Sequence, residues 1–365
     1  MSLTIDELRR RAITNTLFPS TTLPAAVSML GFVQADPIAA PARAQDLVLR
    51  HRVVGYKAGD LERHYPGSIL EEDNLHVYGF LPRRTLAWLH PRPQHAWRAE
   101  REHPGLADEV LAFVRANAPC HHRHLEAHFK SARTRGSWGT QARATTRLLD
   151  MLHYRGRLRV ARREGNLRYY EAAPPPDSAY DAEARLRHLV LVVIKLYTPI
   201  TEYTLRDLVN RLRHDIPGVK NHRKVVARMV EQGDLIRAEV DGIGYVWPAT
   251  ATAPAAGAVD EQVRLLAPFD PVVYDRKRFE HLWGWPYRFE AYTPAAKRQW
   301  GHYALPLLWR DAVIGWANVS VADGRMAAEV GFVAGRPAEV AFARELDAEL
   351  ARMAEFLGVA EGEVK

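Results

Sequence analysis

The stretch GFVQADPIAAPARAQ, residues 31–45, places an amide and a carboxylate two positions apart, directly behind the apolar run LPAAVSMLGFV. Pro37 disfavours helix at Asp36 and pushes that residue to an extended conformation. Side chains two apart in an extended segment share one side, so Gln34 and Asp36 face one place together. Two kinds of chemistry fit such a pair. The carboxylate can close a turn ahead of the next helix by bonding the backbone. Alternatively, it can orient or deprotonate a water molecule and stabilise a developing positive charge, with the amide donating and accepting beside it. The local residues leave both open.

Other candidate chemistry is weaker. CHHRHLEAHF sets His124 and His128 one helical turn apart with Cys120 and His121 near, but no second cluster with ligand spacing accompanies it. Histidines in a DNA-facing turn explain the pattern without zinc, so no metal is expected. Cys120 carries no nucleophile signature and reads as a buried structural thiol. Neither G-x-G-x-x-G before a helix nor G-x-x-x-x-G-K-[ST] is present, which argues against a dinucleotide or ATP enzyme and leaves no cofactor expected. Trp283, Trp285 and Tyr287 read as core of the C-terminal region rather than as a base-stacking platform.

The elements that must position these residues follow a modular order. TIDELRRRAITNTL reads as a helix whose Thr4 and Glu7 have capping-box spacing. TLPAAVSMLG is a second helix ending at Gly31, and APARAQDLVLRHRV a third, with Arg43 and Arg50 close to one face. SILEEDNLHVYGFLP is mixed. Then LADEVLAFVRANAP, HRHLEAHF and GTQARATTRLLDMLHYRG read as three helices, followed by the hairpin RLRVARREGNLRYYEA turning at Gly165. Three helices and a basic hairpin form the winged helix-turn-helix pattern, in which the third helix enters the major groove. The pattern returns in ARLRHLVLVVIKLY, TEYTLRDLVNRL, NHRKVVARMVEQGDL and LIRAEVDGIGYVW. The repeat is roughly 70 residues long, beyond solenoid periods, so it implies tandem domains. PPPDS at 174–178 and TATAPAAG at 250–257 read as linkers, and the aromatic-rich segments after the second as an antiparallel sheet or small barrel closed by the acidic helix ELDAELARMAEFLG.

The 365 residues carry a formal charge of +7 and a single cysteine. A basic chain favours a polyanionic partner, and the absence of any disulfide partner suits a reducing cytoplasm. LVLVVI is too short to span a bilayer, and the N-terminus lacks a signal peptide's apolar core. The charge is concentrated: residues 121–171 hold 12 Arg and Lys against 4 Asp and Glu, an excess of +8, whereas residues 325–365 hold 5 against 8. A helix and a hairpin sharing such an excess suggest a nucleic-acid surface.

Several segments together, LGFVQADPI, ARAQDLVLRHRV, LRVARREGNLRYYE and the block from Leu265 to Leu308, resemble the YcaQ-like, AlkZ-related bacterial DNA glycosylases, in order and over almost the whole chain. The resemblance implies an α+β fold of tandem winged helix-turn-helix modules followed by a C-terminal small β-barrel domain. The expected modules are 1–92, carrying Gln34-Ala35-Asp36, then 93–173, 179–249 and 259–365. It also implies a monofunctional glycosylase that hydrolyses the N-glycosidic bond of N7-alkylated purines in double-stranded DNA, including bulky adducts and interstrand crosslinks, in general repair or in antibiotic self-resistance. Gln34-Ala35-Asp36 matches the Gln-apolar-Asp form of the family's catalytic motif, which favours the active-site alternative. Arg43, Arg50, Arg143, Arg147, Arg162 and Arg163 are then expected to bind DNA backbone, with His76 completing the DNA-binding set. The chain departs from the family at Asn74, Thr146, Trp316 and Asn318. A monomer acting on DNA at the bacterial nucleoid, in the cytoplasm and away from membranes, is expected. The rival from another class is a non-catalytic winged-helix DNA-binding regulator, which explains the helices and the charge but not Gln34 and Asp36.

Overall fold

The computed structural model describes residues 3–64, 69–130, 133–135, 141–174, 178–251 and 260–362. Most of both expected linkers, residues 175–177 and 252–257, lies outside them. The chain is a mixed helix-and-sheet protein of two compact units: Met1–Asp60, Val190–Leu208 and Val226–Lys365 form one, Leu61–Leu189 and Val209–Val225 the other.

The first unit opens with the helix Ile5–Thr16. Thr4 Oγ1 accepts the Glu7 N–H, but Glu7 gives its carboxylate to Arg11 instead of closing a reciprocal box. The helix packs Leu8 and Ala12 against Val240, Tyr245 and Trp247. These last belong to the hairpin Leu235–Val240 and Ile243–Pro248, whose turn residues Asp241 and Gly242 both have positive φ. An Asp-Gly pair supplies that geometry at low cost, and its twist matches the strands.

The second helix, Leu23–Leu30, is capped by Thr22 and ends at Gly31, whose φ of 75° suits a residue without Cβ. A Cβ at Gly31 would also stand 3.1 Å from Val192 Cγ1. The third helix is shorter than the sequence suggests, Ala44–Leu49, because Arg43 is extended at its N-cap (φ −68°, ψ 152°). Arg43 and Arg50 therefore flank this helix rather than share its face.

Near the C-terminus the strands Val263–Leu265, Leu305–Trp309, Ala312–Ala322 and Arg325–Phe332 pair antiparallel in chain order. The sheet is a half-barrel, where the sequence suggests an antiparallel sheet or small barrel. The helix Val340–Leu357 covers it, Phe342 packing between Trp309 and Phe332, so closure by strand pairing is replaced by closure with an apolar helix face. Trp285 and Tyr287 are buried with Phe279 and Leu308, and Trp283 packs at their edge, so this aromatic group is core as the sequence suggests.

The second unit contains the helices Leu106–Asn117, His122–Phe129 and Ala144–Tyr154 and the hairpin Leu158–Glu164 and Leu167–Ala172. The last of these helices starts later than its apolar spacing suggests, since Gln141–Arg143 pairs with the strand Arg133–Arg135. Strands Leu70–Asn74 and Tyr78–Pro82 form a second hairpin, and its three consecutive acids, Glu71, Glu72 and Asp73, are all buried. Buried carboxylates need partners. Glu71 accepts from Arg83 Nε at 2.7 Å, Glu72 takes both arms of Arg163, and Asp73 accepts from His90 at 2.7 Å and Arg92 at 3.0 Å.

Candidate active site

Gln34 ends the short strand Val33–Gln34, and Asp36 follows it, just before Pro37, outside regular secondary structure. The turn and the chemical alternatives for Asp36 coexist in one side chain. Its Oδ1 accepts the Ile38 N–H at 2.9 Å, an Asx-type turn. Its Oδ2 takes no hydrogen bond among the described residues. Gln34 Oε1 is buried and likewise accepts none among them. The Asp36 backbone N–H donates to Gln45 Oε1 at 3.3 Å, tying the motif to the buried face of the helix Ala44–Leu49.

Burial raises the Asp36 carboxyl above the ordinary aspartate value, and the Ile38 N–H offsets only part of that rise. A carboxylate with raised basicity and one free oxygen is suited to take a proton from water.

The helix that carries Gln45 is anchored by two arginines that follow it. Arg52 is fully buried and pairs with Asp270 through two bonds of 2.8 and 3.0 Å, also donating to the Thr16 and Val48 carbonyls. Arg50 pairs with Glu349 at a site where both side chains are nearly inaccessible. That burial leaves Arg50 little face for phosphate, and the contact it makes is a clamp onto Glu349. Arg43 is mostly buried and bonds Asp46, whose carboxylate also accepts from Tyr56 and Gly59.

The remaining sequence candidates lie in the other unit. Arg163 is 8% exposed and both of its arms meet the fully buried Glu72 at 2.7 Å, with Tyr78 donating to the same carboxylate. A phosphate reaching this arginine would have to displace a buried partner. Arg162, on the outward side of the hairpin, lies 3.7 Å over the Tyr169 ring and pairs with Glu164 in solvent, where such a pair exchanges readily for phosphate. Arg143 occupies the N-cap position of the helix Ala144–Tyr154, and Arg147 lies on that helix 3.9 Å from Asp150. His76 is held down at about 3 by burial and by Arg211, so its ring is neutral at neutral pH.

Sequence reasoning overlooked other cations. Arg115 and Arg157 line an open groove of about 410 Å³ with Ala172, Ala173 and Pro174. Arg123, Lys130 and Arg133 are exposed. The signal available was exposure on the polar side of a helix or at a strand end, which a count of arginines per segment does not capture.

His121 caps the helix His122–Phe129 by accepting from Arg123, and burial with the neighbouring His122 holds it down at about 4. Among the described residues no group of three His, Cys, Asp or Glu side chains is arranged to hold a metal ion. Cys120 is buried, and its thiol is pushed up by that burial, away from nucleophilic character. No helix of the described residues is long and apolar enough to cross a membrane.

A half-buried carboxylate with one free oxygen, on a mixed helix-and-sheet scaffold with exposed cations, fits an enzyme acting on a polyanion. The family profile described as DNA glycosylase AlkZ-like matches residues 27–356. The chain belongs to the AlkZ-like DNA glycosylase family. Its fold is similar to that of the Streptomyces sahachiroi DNA glycosylase AlkZ, with a TM-score of 0.64 at 16% sequence identity over 100% of each chain.

Proposed function

We propose that this DNA glycosylase hydrolyses the N-glycosidic bond of N7-alkylated purines in duplex DNA, bulky adducts and interstrand crosslinks included. The observation that carries the proposal is Asp36: half-buried, raised in basicity, one oxygen fixed by the Asx turn and the other free. An N7-alkylated guanine is cationic and leaves as a neutral base, so the leaving group needs no general acid. The electron-poor sugar needs a stabilising negative charge and water, which Asp36 supplies by electrostatics and proton acceptance. Gln34 holds the water or a neighbouring phosphate. The motif contains no lysine to form a Schiff base with C1′, so the activity is monofunctional: base release without strand cleavage.

Two successive sets of three helices and a hairpin support tandem winged-helix modules over 93–173 and 179–249. The first set comprises Leu106–Asn117, His122–Phe129, Ala144–Tyr154 and the hairpin from Leu158. The second comprises Ala182–Leu196, Glu202–His214, Val225–Glu231 and the hairpin from Leu235. Arg143, Arg147 and Arg162, with Arg115 and Arg157, bind the phosphate backbone and fix register without reading sequence.

The test is incubation of the protein with duplexes carrying 7-methylguanine or a nitrogen-mustard crosslink. Free 7-alkylguanine and strands that break only after alkali support the proposal. Strand breaks before alkali contradict a monofunctional enzyme, and tight binding without base release points to the regulator.

A further inference from the structure

The segment RLRHDIPGVKNHRK, residues 211–224, has no part in the mechanism above or in the DNA contacts assigned there. It holds five arginines and lysines, two histidines and a single acid, Asp215. Folding sorts these charges. The Asp215 carboxylate is already engaged: it accepts from the Tyr154 hydroxyl at 2.6 Å and pairs with the fully buried Arg92 at 2.8 Å. Lys220, Arg223 and Lys224 are exposed, and Arg213 is partly exposed. Arg213 donates to Asn210 Oδ1 at 2.9 Å. None of these four cations has an ion-pair partner among the described residues.

Local structure accounts for only some of this charge. Arg211, Arg213 and His214 close the helix Glu202–His214, where the helix dipole favours cations. The opposite holds for Arg223 and Lys224. They stand in the turn His222–Lys224, which leads directly into the helix Val225–Glu231, and the first turn of that helix carries no acid. The positive end of a helix favours anions, so these cations are placed against the local field. The turn is a defined one: Asn221 before it is left-handed, with φ 54°, and the Lys224 N–H closes on the Asn221 carbonyl at 2.8 Å. Burial, Arg213, Arg223 and His214 hold the His222 imidazole below the ordinary histidine value, a crowding of like charge that no acid relieves. Like charges so gathered repel one another, and a polyanion compensates them.

We propose that the loop from Arg213 to Lys224 is a further DNA-backbone contact, in which Arg213, Lys220, Arg223 and Lys224 neutralise phosphates; this rests on the reading of the chain as an enzyme acting on duplex DNA. The segment has no Phe, Tyr or Trp on which a base could stack, so the contact is to phosphate and fixes position without reading sequence. The phosphates take the place of the acids that the loop lacks.

The test is salt-dependent binding of the full chain to an undamaged duplex. Arg223→Ala with Lys224→Ala should lower affinity at low salt and make the slope of log K against log salt shallower by about 2, since each neutralised phosphate contributes about 0.9. Lys220→Gln with Lys224→Gln keeps side-chain length, removes the charge and should do the same. Melting temperatures should stay level or rise as like charges are removed. Single-turnover excision of 7-methylguanine at saturating protein should be unchanged, because the loop touches no reacting atom. Arg336→Ala with Arg344→Ala removes two exposed cations elsewhere, matches the change in net charge and should keep the parental slope. A parental slope in both loop variants overturns the inference. So does an equal shift in the control pair, since affinity would then follow net charge rather than this loop. If the parent releases 7-methylguanine while the loop variants keep its slope, the inference alone fails. If the loop variants shift the slope but the parent releases no base, the glycosylase reading fails and this contact stands.

Discussion

Replacing Arg163 with alanine strands a buried anion, and the size of the loss follows from the structure. Glu72 is fully buried and receives two charge-assisted bonds of 2.7 Å from Arg163 and one of 2.8 Å from the Tyr78 hydroxyl. Burial pushes its carboxyl up, but Arg163 and Tyr78 outweigh that and hold it below the ordinary glutamate value. Without Arg163, burial is opposed mainly by a neutral phenol, and breaking one side of a buried pair costs about 3–5 kcal/mol. Protonation of Glu72 limits the loss. At pH 7, two and a half pH units above the ordinary value of 4.5 and at about 1.4 kcal/mol per unit, the limit is about 3.4 kcal/mol. At pH 5 it falls below about 1 kcal/mol. The sign follows from linkage: the parent's Glu72, with its lowered value, contributes stability above pH 4.5 that is lost in acid, whereas the variant's Glu72 is penalised increasingly as pH rises. Urea unfolding of Arg163→Ala at pH 7 and pH 5 should show a deficit near 3 kcal/mol that shrinks by most of its size. An unchanged midpoint at pH 7, with weaker and less salt-dependent DNA binding, would refute this and restore Arg163 as a phosphate contact.

Arg162→Ala is expected to behave oppositely: unfolding unchanged, duplex affinity reduced for all sequences alike, and the slope of log K against log salt shallower by about 1. An unchanged slope would remove Arg162 from the interface. Asp73 provides a second pH test. Burial raises its carboxyl, but Arg92 and His90 more than offset this and hold it down at about 2. The group therefore contributes roughly 2–3 kcal/mol above the ordinary carboxylate range, lost as pH falls from about 4 to 2. Asp73→Asn should be less stable at pH 7 and lose less on acidification; a parallel acid loss in both proteins would contradict the assignment.

The local features of the fold were legible because they depend on neighbours in sequence. Gly31 gave the end of its helix, and LIRAEVDGIGYVW its hairpin. Long-range pairing was not. LEEDN looks like an exposed acidic run, yet its acids are seated by Arg83, Arg163, His90 and Arg92, and Arg163 is 91 residues from Glu72. For the same reason the +8 excess of residues 121–171 overstates the basic surface: Arg155, Arg159 and Arg163 pair with Glu100, Glu71 and Glu72 from outside that segment. At the site, the type and spacing of Gln34 and Asp36 were readable. The Gln45 side chain that accepts the Asp36 N–H was not, since only folding brings it there. Likewise, nothing local to Arg50 announces Glu349 as its partner.

The central claim is that Asp36 acts as a carboxylate on water and on the sugar cation, and Asp36→Asn isolates it. Asparagine keeps Oδ1 as the acceptor for the Ile38 N–H, so the turn survives while the charge is removed. Because the Asp36 carboxyl is raised, its ionised form costs stability at neutral pH, and the variant should melt no lower than the parent. Single-turnover excision of 7-methylguanine should slow by roughly 10²-fold or more, with duplex affinity unchanged. Excision at the parental rate would contradict the account and leave Asp36 as the turn residue that its bond to Ile38 also describes.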